Sequence, residues 1–336
     1  MRNHRILLRR VPSGLPTPED FDSDEVDVPA PADGQFLSRT IWLSLDPYYR
    51  NIMKGSQFYA ERLTPGDPMC GETVAQVVES RHPGFAGGDY VVVRNGWQDY
   101  GVSDGVGVRK LDPSAAPLST ALGVLGMPGL TGYAGLVYLG EPRPGQTVVV
   151  SAATGPVGST AGQVARLVGA RPVGIAGSPE KCRYAVEELG YSACANYRDG
   201  NLREQLEAMC PDGIDVYFDN VGGDTLGAVL ANLARDARVV LCGMIEAYSM
   251  DQPPPGPFLG PVVAARATLK GLVVYDWLHK QAEQQRVVAA WIRDGVFRYR
   301  EDVTEGLQGA PGAFCRLMQG RNFGKALVRV APEQRA

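Results

Sequence analysis

Residues 147–158 run Thr-Val-Val-Val-Ser-Ala-Ala-Thr-Gly-Pro-Val-Gly, a β-branched stretch that ends abruptly in small residues. Ser159 to Val168 follows with the apolar spacing of a helix. The whole is a strand–turn–helix with Ala152-x-x-Gly155-x-x-Gly158 where the commoner form carries three glycines. The chemistry such spacing serves is anion binding. Small residues allow a tight turn and a close approach of backbone to a pyrophosphate, and the helix N-terminus aims its amides at that anion. Gly155, Pro156, Val157 and Gly158 are therefore the candidate pyrophosphate contacts. Many strand–helix turns hold glycine for packing alone, so the residues that follow decide.

Pro172-Val173-Gly174-Ile175-Ala176 reads as the next strand. A site for NAD ends that strand, about 20 residues beyond the glycine turn, in an Asp or Glu that binds the ribose 2′-hydroxyl. Here the position holds Gly177-Ser178, with Lys181 one turn further on. No carboxylate would repel a 2′-phosphate, and a hydroxyl and a cation stand close by. The expected cofactor is NADPH/NADP; the competing reading makes Lys181 an ordinary solvated lysine.

The rest of the chain must position these residues. At 336 residues it is long enough for two domains. Hydrophobic content of 44% and charged content of 21% describe a globular enzyme-like chain, and a net charge of −4 gives no reason to expect nucleic acid or an anionic membrane. Six cysteines (70, 182, 194, 210, 242, 315) show no CxxC spacing, which suggests free thiols in a reducing cytoplasm. No apolar stretch of signal-peptide length follows Met1. Residues 113–140 carry no charge, but their many glycines fit a buried helix with close backbone contacts better than a membrane span.

Residues 1 to about 120 read as mostly β, in runs such as 35–45, 73–80 and 89–94. From about 145 to 275, strands alternate with helices: helix 180–189, strand 193–197, helix 202–209, strand 215–219, helix 225–234 and strand 238–242. The expected class is α/β with a doubly wound parallel sheet. The last 40 or so residues return to a helix around Phe314 to Met318 and a strand at 326–330, and Gln252-Pro-Pro-Pro-Gly-Pro reads as a stiff loop.

Ordered motifs now accumulate: Leu45-Asp46-Pro47-Tyr48-Tyr49-Arg50, Gly126-Met127-Pro128-Gly129-Leu130-Thr131-Gly132-Tyr133, Ala152 to Gly158, and Gly177-Ser178-Pro179-Glu180-Lys181. Asn196-Tyr197, Phe218-Asp219-Asn220-Val221-Gly222-Gly223, Cys242-Gly243 and Asn322-Phe323-Gly324-Lys325 complete the series. With them the chain resembles the zinc-independent medium-chain dehydrogenase/reductases, in the prostaglandin reductase and alkenal double-bond reductase branch. The resemblance implies a GroES-like β-rich catalytic domain from residues 1–122 and 296–336, with a Rossmann NADP-binding domain, 123–295, inserted between. It implies that Lys181 and Tyr197, assisted by Ser178, meet the adenosine 2′-phosphate. Thr131 is expected at the cofactor. Asn220, Cys242, Gly243, Tyr248, Leu272 and Val274 are expected around the nicotinamide half, and Asn322 is expected to hydrogen-bond the cofactor from the other domain. Tyr48 and Tyr275 resemble cleft residues, with core packing as the alternative for each.

The resemblance also bears on metal. Zinc-dependent members need Cys and His ligands, whereas the three histidines here (His4, His82, His279) lie outside any Gly-His-Glu signature, and Cys70-Gly71-Glu72 stands where it would fall. No metal is expected. Without a Lewis acid, hydride delivery to a polarised C=C is easier than carbonyl reduction, because hydrogen-bond donors suffice for the oxygen. Glu246 departs from the small or hydroxyl residues usual in its loop; buried, it would be a proton donor, and facing solvent it would be an ordinary loop acid.

The leading expectation is an NADPH-dependent ene-reductase that delivers hydride to the β-carbon of an α,β-unsaturated carbonyl, with the proton from Tyr275, Tyr48, Glu246 or water. Alternatives are a reductive cyclase of natural-product biosynthesis, a quinone reductase, and a catalytically idle NADPH-binding protein. The expected partners are a small enone, enal or polyene substrate and a second copy of the chain as a homodimer.

Overall fold

The computed structural model describes residues 1–55, 62–252 and 254–333. The chain forms two compact units, Met1–Gly123 with Glu301–Ala336, and Val124–Arg300.

In the first unit β1 (Arg2–Leu8) and β2 (Phe21–Asp27) pair as an antiparallel ribbon. The larger sheet begins with β3 (Phe36–Ser44), after which a short helix α1 (Tyr49–Met53) turns the chain. β4 (Thr73–Ser80), β5 (Tyr90–Val93), β6 (Tyr100–Ser103) and β7 (Arg109–Leu111) follow. Side chains alternate across a strand, and both faces here are covered. Phe36, Ala75, Val77, Val91 and Val93 pack in one cluster, and Ile41, Val74, Tyr90, Val92, Leu118 and Leu122 in another. Two buried faces explain why Tyr90-Val-Val-Val is apolar throughout instead of alternating.

The second unit opens with α2 (Met127–Ala134), which runs into a π-helical turn, Gly135–Gly140. Seven of the eight α2 residues are buried, and a methyl on Gly132 would sit 2.5 Å from the Val157 carbonyl. Glycine thus lets α2 lie directly on the next helix, the buried helix with close backbone contacts expected in this uncharged stretch. No helix among the described residues is long and apolar enough to cross a membrane.

Then come β8 (Thr147–Ser151), α3 (Pro156–Leu167), β9 (Arg171–Ala176), α4 (Pro179–Glu187), β10 (Ala193–Asn196) and α5 (Leu202–Met209). β11 (Ile214–Asp219), α6 (Gly223–Leu230), β12 (Leu233–Leu241), α7 (Ile245–Tyr248), α8 (Gly260–Ala265), β13 (Thr268–Gly271) and α9 (Gln281–Arg293) complete it. Of the Pro-rich stretch at 252–257, Pro253 lies outside the described residues, and 254–257 carry no regular structure. The six strands are parallel in the order β10-β9-β8-β11-β12-β13. This is the 3-2-1-4-5-6 order of a doubly wound dinucleotide-binding sheet, whose ligand crevice lies beyond the carboxyl ends of the strands where the order reverses. That point falls between β8 and β11. Val148, Val149 and Val150 are fully buried there, each contributing roughly 1.5–3 kcal/mol.

The chain returns to the first unit with β14 (Glu301–Glu305), α10 (Ala310–Met318) and β15 (Lys325–Arg329). The sheet order is then β14-β15-β3-β4-β5-β7, with β6 also on β3.

The largest boundary shifts from the sequence expectation fall at α6 and β12. The helix expected over 225–234 ends at Leu230, and the strand expected over 238–242 begins at Leu233. Pairing decides this: the Ile214 amide donates to the Asn232 carbonyl at 2.9 Å, and Ile214 stands opposite Leu233. Tyr197 falls just outside its strand, because the Asn196 side chain accepts from the Arg198 amide and turns the chain.

Candidate functional site

The glycine turn comes first. β8 delivers Ser151, then Ala152 adopts φ +49°, the left-handed conformation that glycine would take without strain. The Gly155 amide donates to the Ala152 carbonyl at 3.0 Å and closes the turn. α3 starts at once, with Pro156 at its first position, where a missing N–H costs nothing. A methyl on Gly158 would lie 2.3 Å from the Ala152 carbonyl, so only glycine permits this approach. The first-turn amides of α3 have no intrahelical acceptors, and with the helix dipole they make a cradle for a pyrophosphate.

Ser178, Lys181 and Tyr197 converge at the end of β9. The Ser178 hydroxyl caps α4 by accepting the Lys181 amide at 3.2 Å. Its own O–H remains a donor. The Tyr197 ring lies over Gly177, where a methyl would approach it to 2.8 Å. Arg198 adds a second cation, its guanidinium 5.7 Å from the Tyr197 ring centre. Sequence reasoning passed over Arg198; its place beside Tyr197 was the available signal.

At the crevice, Asn220 is held by Ser151. Its amide N–H donates to Ser151 Oγ and its Nδ2 to the Ser151 carbonyl, both at 2.8 Å. Asp219, fully buried, anchors the turn: its Oδ1 accepts from the Tyr217 hydroxyl at 2.7 Å, Ser151 Oγ at 3.2 Å, and the Val221 and Gly222 amides at 2.9 and 3.0 Å. The carbonyl of Asp219 accepts from the Cys242 and Gly243 amides at 2.8 and 3.0 Å. The turn that carries Asn220 and the loop that carries Cys242 and Gly243 are thereby tied together. Asp219 was read only as part of a motif; its anchoring role depends on partners that no spacing reveals. The Tyr248 hydroxyl accepts from the Met244 amide at 3.3 Å and closes the same loop. Burial pushes the Cys242 thiol up to about 12, helped by the Asp219 charge, so this thiol is a poor nucleophile toward electrophiles.

Leu272 is buried, its amide donating to Leu241 at 2.9 Å, and Val274 and Tyr275 open the 3₁₀ turn that follows. Tyr275 is 43% exposed. Thr131, on α2, donates its hydroxyl to the Met127 carbonyl at 2.7 Å and keeps acceptor capacity.

Glu246 is half-buried on α7, over the Gly222–Gly223 turn. Desolvation raises its pKa, the Asp224 and Asp219 charges add to this, and a hydrogen bond from the Asp224 amide opposes it. That amide belongs to the first turn of α6, so the carboxylate lies at the N-terminal end of α6. Such a contact is a structural use for the acid, distinct from proton donation.

Tyr48 and Asn322 belong to the first unit. Tyr48 is half-buried with its ring 4.6 Å from that of Tyr49. The Asn322 Nδ2 donates to the Gly324 carbonyl at 2.8 Å. Near the Cys70-Gly71-Glu72 segment the unit holds a buried Asp46–Lys325 ion pair, and Glu72 is raised by desolvation with Asp46 as the next cause. No group of three or more His, Cys, Asp or Glu residues that could hold a metal occurs among the described residues.

Two family models match, an N-terminal domain of oxidoreductase over residues 4–111 and a zinc-binding dehydrogenase over 156–292. The chain is 45% identical to the NADPH-dependent curcumin reductase of Escherichia coli K12, over 98% of this chain and 97% of that one. It is 39% identical to rat prostaglandin reductase 1, over 94% and 95%. The crystal structure of CurA from Vibrio vulnificus in complex with NADPH superposes with a TM-score of 0.92 at 41% identity, covering 98% of this chain and all of that one. The chain belongs to the medium-chain dehydrogenase/reductase superfamily, in the branch of the prostaglandin reductases and alkenal double-bond reductases.

Proposed function

We propose that this protein is an NADPH-dependent ene-reductase acting on small α,β-unsaturated carbonyl compounds. Bound NADPH supplies the hydride. The amides of Val157 and Gly158 hold the pyrophosphate, with Gly155 and Pro156 shaping the turn into α3. Ser178, Lys181 and Tyr197 hold the 2′-phosphate, with Arg198 alongside. Asn220, Cys242, Gly243, Leu272 and Val274 form the wall against the nicotinamide, and Thr131, Tyr248 and Asn322 complete the cofactor contacts. Hydrogen bonding at the substrate carbonyl oxygen, where enolate charge develops, lowers the barrier without a metal. Tyr275 and Tyr48 are the proposed donors there or at the α-carbon. The carrying observation is the end of β9, where a serine-capped helix with Lys181 replaces the acid of an NAD site. A charge-assisted contact of about 1.5–3 kcal/mol predicts a kcat/KM at least tenfold higher with NADPH than with NADH. Equal values for the two would remove the reading.

The assembly we propose is a homodimer built on the edge of the parallel sheet. β13 is an edge strand, and Val263 on the adjoining α8 is 77% exposed. Exposed apolar surface beside an unpaired strand edge suits a second copy. Light scattering should return twice the chain mass; a monomer at micromolar concentration would exclude it.

A further inference from the structure

Cys182 on α4 and Cys194 on β10 come from elements that pack against each other, and their thiols act on one another, the Cys194 thiol donating to the Ala195 carbonyl at 3.8 Å. Gly174 on the neighbouring strand leaves the room for the Cys194 sulfur: a methyl there would approach it to 3.0 Å. Both cysteines are half-buried, so a small oxidant reaches them. The function above uses neither.

The pair is asymmetric. The neighbouring Cys194 thiol holds the Cys182 thiol below the usual range, against desolvation and the Asp199 charge. The first-turn field of α4 favours a thiolate at the same place. The same proximity, with burial, pushes Cys194 up. Burial pushes Cys210 and Cys242 up as well, and Cys315 to about 11.

We propose that Cys182 and Cys194 are a peroxide-oxidisable dithiol site that closes to a disulfide between α4 and β10. The Cys182 thiolate attacks one oxygen of a hydroperoxide and the O–O bond breaks. The departing oxygen takes a proton to leave as water or an alcohol, and Cys182 becomes a sulfenic acid. The Cys194 sulfur then displaces the sulfenic hydroxyl, which leaves as water with the Cys194 proton. Two thiols lose two electrons in all, and the peroxide gains them. The bond ties the helix bearing Lys181 to the strand that leads to Tyr197, so NADPH binding weakens. This consequence rests on the cofactor reading above; formation of the bond does not.

The test treats the reduced full-length protein with limiting hydrogen peroxide. Expected are the loss of two hydrogens by intact mass, a Cys182–Cys194 cross-linked peptide, and reversal by dithiothreitol. Cys194→Ser should stop the reaction at a sulfenic acid on Cys182, trapped by dimedone, and Cys182→Ser should remove both products. NADPH titration of the same samples should show severalfold weaker binding in the oxidised form only. A disulfide joining other cysteines, or Cys182 oxidised with Cys194 left reduced in the wild type, overturns the proposal. If the cross-link forms but the reduced protein binds no NADPH, the cofactor reading fails and the dithiol site stands.

Discussion

The Lys325 ammonium lies 2.6 Å from Asp46 Oδ1, and both side chains are buried. Lys325 also donates to the Leu45 carbonyl at 2.9 Å, and Ser44 donates to the other Asp46 oxygen. The pair joins the start of β15, just after Asn322, to the turn that leads into Tyr48. Two proposed site residues thus share one internal anchor. Removing one partner leaves the other charge buried without compensation, at a cost of about 3–5 kcal/mol. Lys325→Met should therefore lower the denaturation midpoint strongly, and Asp46→Asn added to it should recover part of the loss. Equal stability of Lys325→Met and wild type in urea would show that the pair carries no such weight.

The two ends of the cofactor separate by mutation. Lys181→Ala should weaken NADPH by about tenfold to a hundredfold and leave NADH nearly unchanged. Gly158→Ala should weaken both alike, because its methyl would overlap the Ala152 carbonyl in the turn that receives the pyrophosphate. Fluorescence titration with each cofactor reads both; a Lys181→Ala loss shared by NADH would contradict the phosphate assignment.

Glu246→Gln distinguishes a cap from an acid. The account expects a small change in kcat, because the carboxylate lies over Gly223 at the start of α6. A loss near 10²-fold would instead mark general-acid participation. Stability should report the pKa. The folded-state value is raised, so the folded protein holds this proton more tightly than the unfolded chain. The associated stability is present at acidic pH and is lost as pH rises above the ordinary carboxylate range. Wild type should therefore lose stability relative to Glu246→Gln over that interval; a flat difference would contradict it.

The nucleotide half of the fold was legible because its signal is local. A β-branched run, small turn residues and a helix at residues 147–168 are enough to place β8 and α3. The helix at 202–209 could be read directly from Leu202, Leu206 and Met209 on one face. What escaped depended on partners distant in sequence. β12 starts at Leu233 because β11 pairs with it there, against a Leu-Ala run that reads equally well as helix. The caps differ in reach: Ser178 accepts the amide of Lys181, three residues on, whereas nothing in the spacing reveals that Glu246 reaches α6. Asp46 and Lys325, 279 residues apart, stood in two motifs without any sign that they meet. Cys182 and Cys194 were two of six scattered cysteines.

The most direct test of the central claim follows the hydride itself. NADPH carrying deuterium at the transferable C4 position should be incubated with the enzyme and an enone or enal, and the product examined by NMR. The account predicts one deuterium at the carbon β to the carbonyl, a solvent hydrogen at the α-carbon, and an intact carbonyl. Deuterium on a carbinol carbon would make the protein a carbonyl reductase and contradict the account.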